Sequence, residues 1–304
     1  MSNNTVPHIP VLFDEVIDTF KDIEDGYIID CTLGYGGHSL GILQSNPNIK
    51  LICNDQDDEA LAFSKDRLKD YSQRIIFSKG NFKDVITKYK DKNITGILAD
   101  IGVSSLQLDK TQRGFGFASE TLDMRMDQNQ ELSAANVVNE YSQKELERVM
   151  KEYGEVKEYK KVASLIVEHR PFSSSKELAD MLHQKMHKGK LHPATLPFQG
   201  IRIEVNNELG VLEELFDQIA GAGFCSTKVA IISFHSLEDR IVKNYFKKWT
   251  KKCICPDYLP RCECGNDHQK GKVITRKPII PTNSEIKQNP RSRSSKMRVF
   301  QFDC

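Results

Sequence analysis

Short apolar runs separated by amphipathic stretches fill the first hundred residues. Residues 27–31, 50–54, 75–78 and 97–101 are apolar and rich in isoleucine, and 58–69 between them has helical spacing. Such runs predict buried strands, and their alternation with helices predicts a parallel sheet with right-handed crossovers. The fourth run ends in Asp100, followed by a polar Gly/Ser turn, Asp100-Ile-Gly-Val-Ser-Ser-Leu-Gln-Leu-Asp109. Ligands of open α/β sheets sit outside the carboxyl ends of the strands, so this turn is expected to face whatever the domain binds.

From about residue 112 the period becomes helical. Ser142-Gln-Lys-Glu145 and Ser174-Ser-Lys-Glu177 read as capping boxes and Gly154 as a helix stop. One helix is expected over 198–220, and the apolar run 229–234 then returns to the sheet. The organisation expected is a discontinuous α/β domain, 1–111 and 207–304, carrying a helical insert over 112–206. The prolines between 253 and 298 predict an irregular tail.

At 304 residues, 39% hydrophobic and 28% charged, the chain has the composition of a soluble protein with a sizeable core. No basic n-region precedes an apolar stretch and no run is long enough to span a bilayer, so no membrane contact and a cytoplasmic location are expected. The net charge of +1 conceals an asymmetry: residues 243–298 hold 15 Lys/Arg against 4 Asp/Glu, leaving 28 against 38 elsewhere. A basic tail on an acidic chain suits a polyanionic partner, and a solvated surface would look the same. Cys31, Cys53 and Cys225 lie in or beside apolar runs and read as core residues. Cys253, Cys255, Cys262 and Cys264 form two Cys-x-Cys pairs that could hold a tetrahedral zinc or remain a free-thiol loop. The usual zinc spacing is Cys-x2-Cys, and no apolar framework adjoins the cluster.

The turn after the first strand, Asp30-Cys-Thr-Leu-Gly-Tyr-Gly36-Gly37-His38, leads into a helix starting near Ser39, where glycines let backbone approach a ligand at a helix N-terminus. Asp55 ends the second strand, where a carboxylate can accept both hydroxyls of a ribose. Phe82 follows the third strand, placed to stack on adenine or simply to close the core. With Asp100 after the fourth, this order fits an adenosine-containing ligand.

Longer motifs are more specific. Asp100 to Asp109, Arg113-Gly-Phe-Gly-Phe117, Leu122-Asp-Met-Arg-Met-Asp127, His192-Pro-Ala-Thr195, Phe198-Gln-Gly-Ile-Arg-Ile-Glu-Val-Asn206, Ile232-Ser-Phe-His-Ser-Leu-Glu-Asp-Arg240 and Asn289-Pro-Arg-Ser-Arg-Ser294 closely resemble the bacterial small-subunit rRNA cytosine-N4-methyltransferases of the MraW/RsmH type. The resemblance runs from His8 to Arg298, with Gly200 where alanine is usual and Leu106 where proline often sits. It implies a Rossmann-like S-adenosylmethionine-dependent methyltransferase with an inserted helical domain. The implied reaction is methylation of the exocyclic N4 amine of one cytidine in the decoding region of 16S rRNA, within the small ribosomal subunit. The implied cofactor contacts are Gly36, Gly37, His38, Asp55, Phe82, Asp100 and Gln107; His38 and Gln107 come from the resemblance alone.

Cytosine's exocyclic nitrogen is delocalised into the ring and needs an acceptor for its protons as charge develops. Asp100, with Ser104 and Ser105, is the catalytic set expected; the alternative is that Asp100 only holds the methionine part of the cofactor. Gln199, Arg202 and Asn206 form one polar stripe of the 198–220 helix, expected to meet a flipped-out base or its phosphates. His235 is a candidate for phosphate binding or proton relay, against a structural hydrogen-bonding role. Arg291 and Arg293, with Lys296 and Arg298, are expected either to touch RNA phosphates or to clamp the tail onto acidic parts of the fold. The helical insert suits RNA reading or a homodimer contact. Two other readings compete: a nicotinamide oxidoreductase, which nothing after the fourth strand supports, and a non-catalytic rRNA-binding ribosome-assembly factor.

Overall fold

The computed structural model describes residues 10–304 apart from Lys188, Lys190 and Asp257, and describes Ser105 and Leu106 by their backbone alone. Seven strands make one sheet: β1 (Gly26–Asp30), β2 (Ile49–Asp55), β3 (Ile75–Lys79), β4 (Ile94–Asp100), β5 (Lys228–Ser233), β6 (Gly271–Val273) and β7 (Lys296–Phe302). Their order is β3-β2-β1-β4-β5-β7-β6, with β1 to β5 parallel. The direction of strand succession reverses between β1 and β4, and that is where an open α/β sheet leaves a crevice for ligand.

Strand side chains alternate between two faces, and both faces are buried, which is why these strands read as unbroken apolar runs. Ile29, Ile52, Ile97, Ala99, Val229 and Ile231 pack with Leu212, Phe216, Val242 and Trp249 on one side. Ile28, Leu51, Cys53, Leu98, Ala230 and Ile232 meet Val16, Phe20, Ile42 and Leu61 on the other.

The tail is not irregular throughout. β7 pairs antiparallel with both β5 and β6, placing Ala230 opposite Val299 and Lys272 opposite Gln301. Along β7, Met297 and Val299 enter one core while Phe300 and Phe302 enter the other. This period-2 signal is short and follows a proline-rich basic stretch that conceals it. Cys225 is also not a core residue: it is exposed and disulfide-bonded to Cys304, whereas Cys31 and Cys53 are buried.

The chain divides into two compact units, one of residues up to Gly102 and from Val211 onward, the other Val103–Gly210. The second is wider than the expected 112–206 because Val103 and Leu108 pack onto its own core, built from Val137, Val138, Leu146, Val162, Ile166 and Leu182 among others. The expected single helix is two, Thr195–Asn206 and Glu208–Gly221, split at Asn207, whose φ of 47° is left-handed. Asparagine tolerates that region locally without the glycine that would have marked the break.

Gly154 closes a π-helical turn, Val149–Tyr153, with an ordinary φ of −81°, and Glu155 takes the left-handed turn at 50°. The glycine serves close approach: a Cβ on Gly154 would lie 2.8 Å from the Leu196 carbonyl, and one on Gly200 2.9 Å from the Gly154 nitrogen. Ser142 forms the full capping box with Glu145. Ser174 accepts from the Glu177 N–H, but the Glu177 carboxylate turns to Ser173 instead. No described helix is long and apolar enough to cross a membrane.

Trp249 is the hub of an aromatic cluster that ties helix Ser236–Trp249 to β7, with ring centroids 5.6 Å from Phe216, 5.5 Å from Phe246, and 5.2 Å from both Phe300 and Phe302. Its buried indole N–H has no acceptor among the described residues. Trp249→Ala is expected to cost about 3–5 kcal/mol in denaturant unfolding. Trp249→Phe should cost far less, because it also removes a buried donor that makes no bond.

Candidate active site

The turn after β1 is built by its neighbours. Gly34 (φ 49°) donates its N–H to Asp55 Oδ2 at 2.8 Å and accepts from Ser64 Oγ at 2.7 Å. Gly36 (φ 70°) caps helix Gly37–Ser45, leaving first-turn N–H groups directed out of the helix end, and a Cβ on Gly37 would run into Pro10. Left-handed backbone at Gly34 and Gly36 and the want of space at Gly37 explain this glycine spacing.

Three carboxylates stand at the carboxyl ends of β1, β2 and β4. Asp30 is buried, accepting from Ser39 Oγ at 2.6 Å and the Thr32 N–H at 3.2 Å, and burial pushes its carboxyl up to about 6. Burial raises Asp55 to about 6 as well, against the hydrogen bonds it accepts from Asp57 and Gly34. Asp100 is raised further, to about 8, by burial first and then by the charges of Asp30 and Glu238. Its Oδ2 lies 3.9 Å from His38 Nδ1, while Oδ1 is buried with no hydrogen-bond partner among the described residues. Sequence reasoning did not place Asp30 in the site. Its position one strand from Asp100 across the switch point was the available signal.

His38 is buried, its Nε2 2.9 Å from the Val11 carbonyl, so the ring is oriented from behind. Phe82 opens helix Phe82–Tyr89, which Asn81 caps by accepting from the Lys83 N–H, and it stays half-buried at the rim of the core. Gln107 and Ser104 belong to the second unit, where they bond each other: Gln107 Oε1 accepts from the Ser104 N–H at 3.0 Å and Ser104 Oγ from the Gln107 N–H at 3.3 Å. That exchange caps helix Ser105–Asp109, so the Ser104 hydroxyl is engaged in holding the turn. The Ser105 side chain lies outside the described residues.

The polar stripe expected to face RNA is spent within its own unit. Gln199 donates to the Tyr153 carbonyl at 2.9 Å; Arg202 makes a two-pronged pair with the buried Glu208 at 2.8 and 2.9 Å; Asn206 donates to the Met124 carbonyl and accepts from the Met126 N–H. These groups fasten helix Thr195–Asn206 to neighbouring loops, a role that spacing alone does not distinguish from ligand binding. His235 likewise caps helix Ser236–Trp249: its Nδ1 accepts from the Glu238 N–H, while the buried Glu238 carboxylate accepts from the Phe234 N–H at 2.8 Å. The structural reading of His235 is the one its bonds support.

The tail divides in the same way. Arg298 is buried and bonded through both prongs to Asp239, with Lys296 3.6 Å from the same carboxylate, so these two act as the clamp. Arg291 and Arg293 are exposed. Arg293, Lys296 and His235 line a hollow of about 390 Å³ together with Ser236, Ser294 and Ser295.

Tested against S-adenosylmethionine, the first unit fits: a glycine turn for close approach, a carboxylate after β2, a half-buried aromatic after β3, and a buried, unpaired carboxylate oxygen after β4 suited to a cationic ligand. Asp100 would answer the positive charge, Asp55 the ribose and Phe82 the adenine. Such a sheet and site define a methyltransferase of the S-adenosylmethionine-dependent class.

Residues 5–303 match the MraW methylase family, and the chain belongs to it. It is 73% identical over 298 residues to ribosomal RNA small subunit methyltransferase H of Aliarcobacter butzleri, covering 98% of this chain and 99% of the relative. It is 58% identical over 303 residues to the protein of the same name from Sulfurimonas denitrificans, covering 98% and 99%.

The raised carboxyls have a signed consequence. An aspartate with folded value about 8 and unfolded value 3.8 holds more protons folded than unfolded across that interval, so stability falls as pH climbs through it. The unliganded protein should therefore be less stable at pH 8 than at pH 5.5. Asp100→Asn, which cannot ionise, should remove this group's share of the pH dependence, so that the gap in unfolding free energy between pH 5.5 and pH 8 narrows, as read by denaturation at the two pH values.

Proposed function

We propose that this protein methylates the exocyclic N4 amine of a cytidine in the decoding region of 16S rRNA, acting in the cytoplasm on the small ribosomal subunit. The near full-length identity to ribosomal RNA small subunit methyltransferases supports this substrate, and Asp100 Oδ1, without a hydrogen-bond partner among the described residues, supports the chemistry. The donor supplies an electrophilic methyl group on a positively charged sulfur. The chain's task is then to aim the amine and to accept its protons as the nitrogen becomes nucleophilic. Asp100 is the acceptor proposed: one oxygen faces His38 Nδ1 at 3.9 Å, and the other makes no hydrogen bond among the described residues. Asp55 and the Gly34–Gly37 turn hold the donor.

RNA phosphates are proposed to meet the exposed Arg291 and Arg293 and the hollow that Arg293 lines with Ser236, Ser294 and Ser295. The helical unit is proposed as a further RNA-reading surface, through groups other than Gln199, Arg202 and Asn206, whose hydrogen bonds brace the unit itself.

Incubation with radiolabelled S-adenosylmethionine and unmethylated small subunits should place label in N4-methylcytidine after nucleoside digestion. Absence of label, with donor and subunit both bound, would favour the assembly-factor reading. Asp100→Asn should lower turnover by about 10²–10³-fold, the usual effect of removing one polar group that stabilises developing charge. If donor binding disappears with turnover, Asp100 serves the donor alone. Replacing Arg291 and Arg293 by alanine should flatten the salt dependence of subunit binding, the log–log slope falling by about one for each phosphate no longer neutralised.

A further inference from the structure

The segment between helix Ser236–Trp249 and β6 takes no part in the site described above. Two backbone bonds close its base, His268 N–H to the Lys252 carbonyl at 3.0 Å and Lys270 N–H to the Trp249 carbonyl at 2.8 Å. Beyond that base the segment has little apolar packing: Ile254 is 57% exposed and Tyr258 83%. What gathers there instead are four sulfurs, of Cys253, Cys255, Cys262 and Cys264, all within 4.8 Å of one another.

Their arrangement is reciprocal. Each Cys-x-Cys pair brings its two sulfurs to the same point. The residue between the members of each pair donates its N–H to a sulfur of the other: Ile254 to Cys264 at 3.4 Å and Glu263 to Cys255 at 3.3 Å. Backbone donors of this kind orient metal-bound thiolates. Cys264 is 3.5 Å from Cys262 and 3.7 Å from Cys253, sulfur to sulfur. A tetrahedron with metal–sulfur bonds of about 2.3 Å has edges of about 3.8 Å. An iron–sulfur cluster, which interposes several atoms between its cysteines, needs a wider set. His268 is not a ligand: its Nε2 lies 2.9 Å from the Cys264 carbonyl and braces the loop from behind.

We propose that Cys253, Cys255, Cys262 and Cys264 form a structural tetrathiolate Zn²⁺ site that folds this loop in place of an apolar core. The four thiols lose their protons as the ion binds. The resulting complex carries two net negative charges, in a segment whose bases Lys251, Lys252, Arg261 and Lys270 outnumber its acids Asp257, Glu263 and Asp267 by one. With no open coordination position, the ion fastens the loop and takes no part in methyl transfer.

The full chain, purified without chelator and without a histidine tag, should contain one zinc per molecule by elemental analysis. A mercurial that caps thiols should release it. Cobalt exchanged into the unaltered protein should give the intense visible bands of tetrahedral thiolate coordination, a readout independent of any variant's folding. Cys253→Ser with Cys264→Ser should abolish bound zinc, and chelation should open the loop to protease while S-adenosylmethionine binding is kept. Four freely titrating thiols without metal, disulfides among these four cysteines, or iron in place of zinc would each overturn the assignment.

Discussion

A cluster of acids at the carboxyl ends of adjacent strands is the constraint around which the first unit is arranged. Asp30 and Asp100 end adjacent parallel strands, β1 and β4, and Glu238 adds a third acid from the helix after β5. Burial and the neighbouring charges of Asp30 and Glu238 hold the Asp100 carboxyl up at about 8, so it keeps its proton at neutral pH; His38 Nδ1 lies 3.9 Å from its Oδ2, and Oδ1 makes no hydrogen bond among the described residues. The surrounding bonds hold the acids there regardless: Ser39 and the Thr32 N–H fix Asp30, Thr32 Oγ accepts from the Asp100 N–H at 2.7 Å, and Glu238 is occupied by two backbone donors. Acids held this close are best satisfied by a ligand that arrives positive and favours loss of the shared proton, and S-adenosylmethionine carries such a charge.

Much of this was legible in the sequence because it is local. Five strands announce themselves by isoleucine-rich runs, and once those are placed, Gly36, Asp55, Phe82 and Asp100 follow from their position at strand ends. What was hidden depends on partners distant in sequence. Nothing near residue 300 says that β7 lies between β5 and β6, and Asn206-Asn207 marks a left-handed break less plainly than a glycine would. The stripe of Gln199, Arg202 and Asn206 looks like a ligand-reading face until Tyr153, Glu208 and Met124 are known to receive it. Cys225 is of the same kind, since its partner is 79 residues away.

The same polar vocabulary serves two purposes in the chain. His235 with Glu238, Ser104 with Gln107, and Asp239 with Arg298 make hydrogen bonds that fix turns, helix ends and the tail, and all but Arg298 are motif residues. A tightly specified site needs such supports as much as it needs residues that touch the ligand, because a first-turn N–H or an aspartate oxygen is useful only when the backbone carrying it is held. A motif match therefore identifies a site together with its scaffold, and only the bonding pattern separates the two.

The helical unit interrupts the chain between β4 and β5, two strands that pair side by side with Asp100 opposite Ile232. Were the intervening segment of Val103–Gly210 a flexible coil, closing it would cost about 4 kcal/mol in chain entropy before a single bond between these strands formed. The segment has a hydrophobic core of its own. Once that core has condensed, the loop is no longer a coil and most of the entropic barrier is gone. The closure cost of the sheet, and with it of the acid cluster at its edge, thus depends on the folding of a unit that contributes no strand to it.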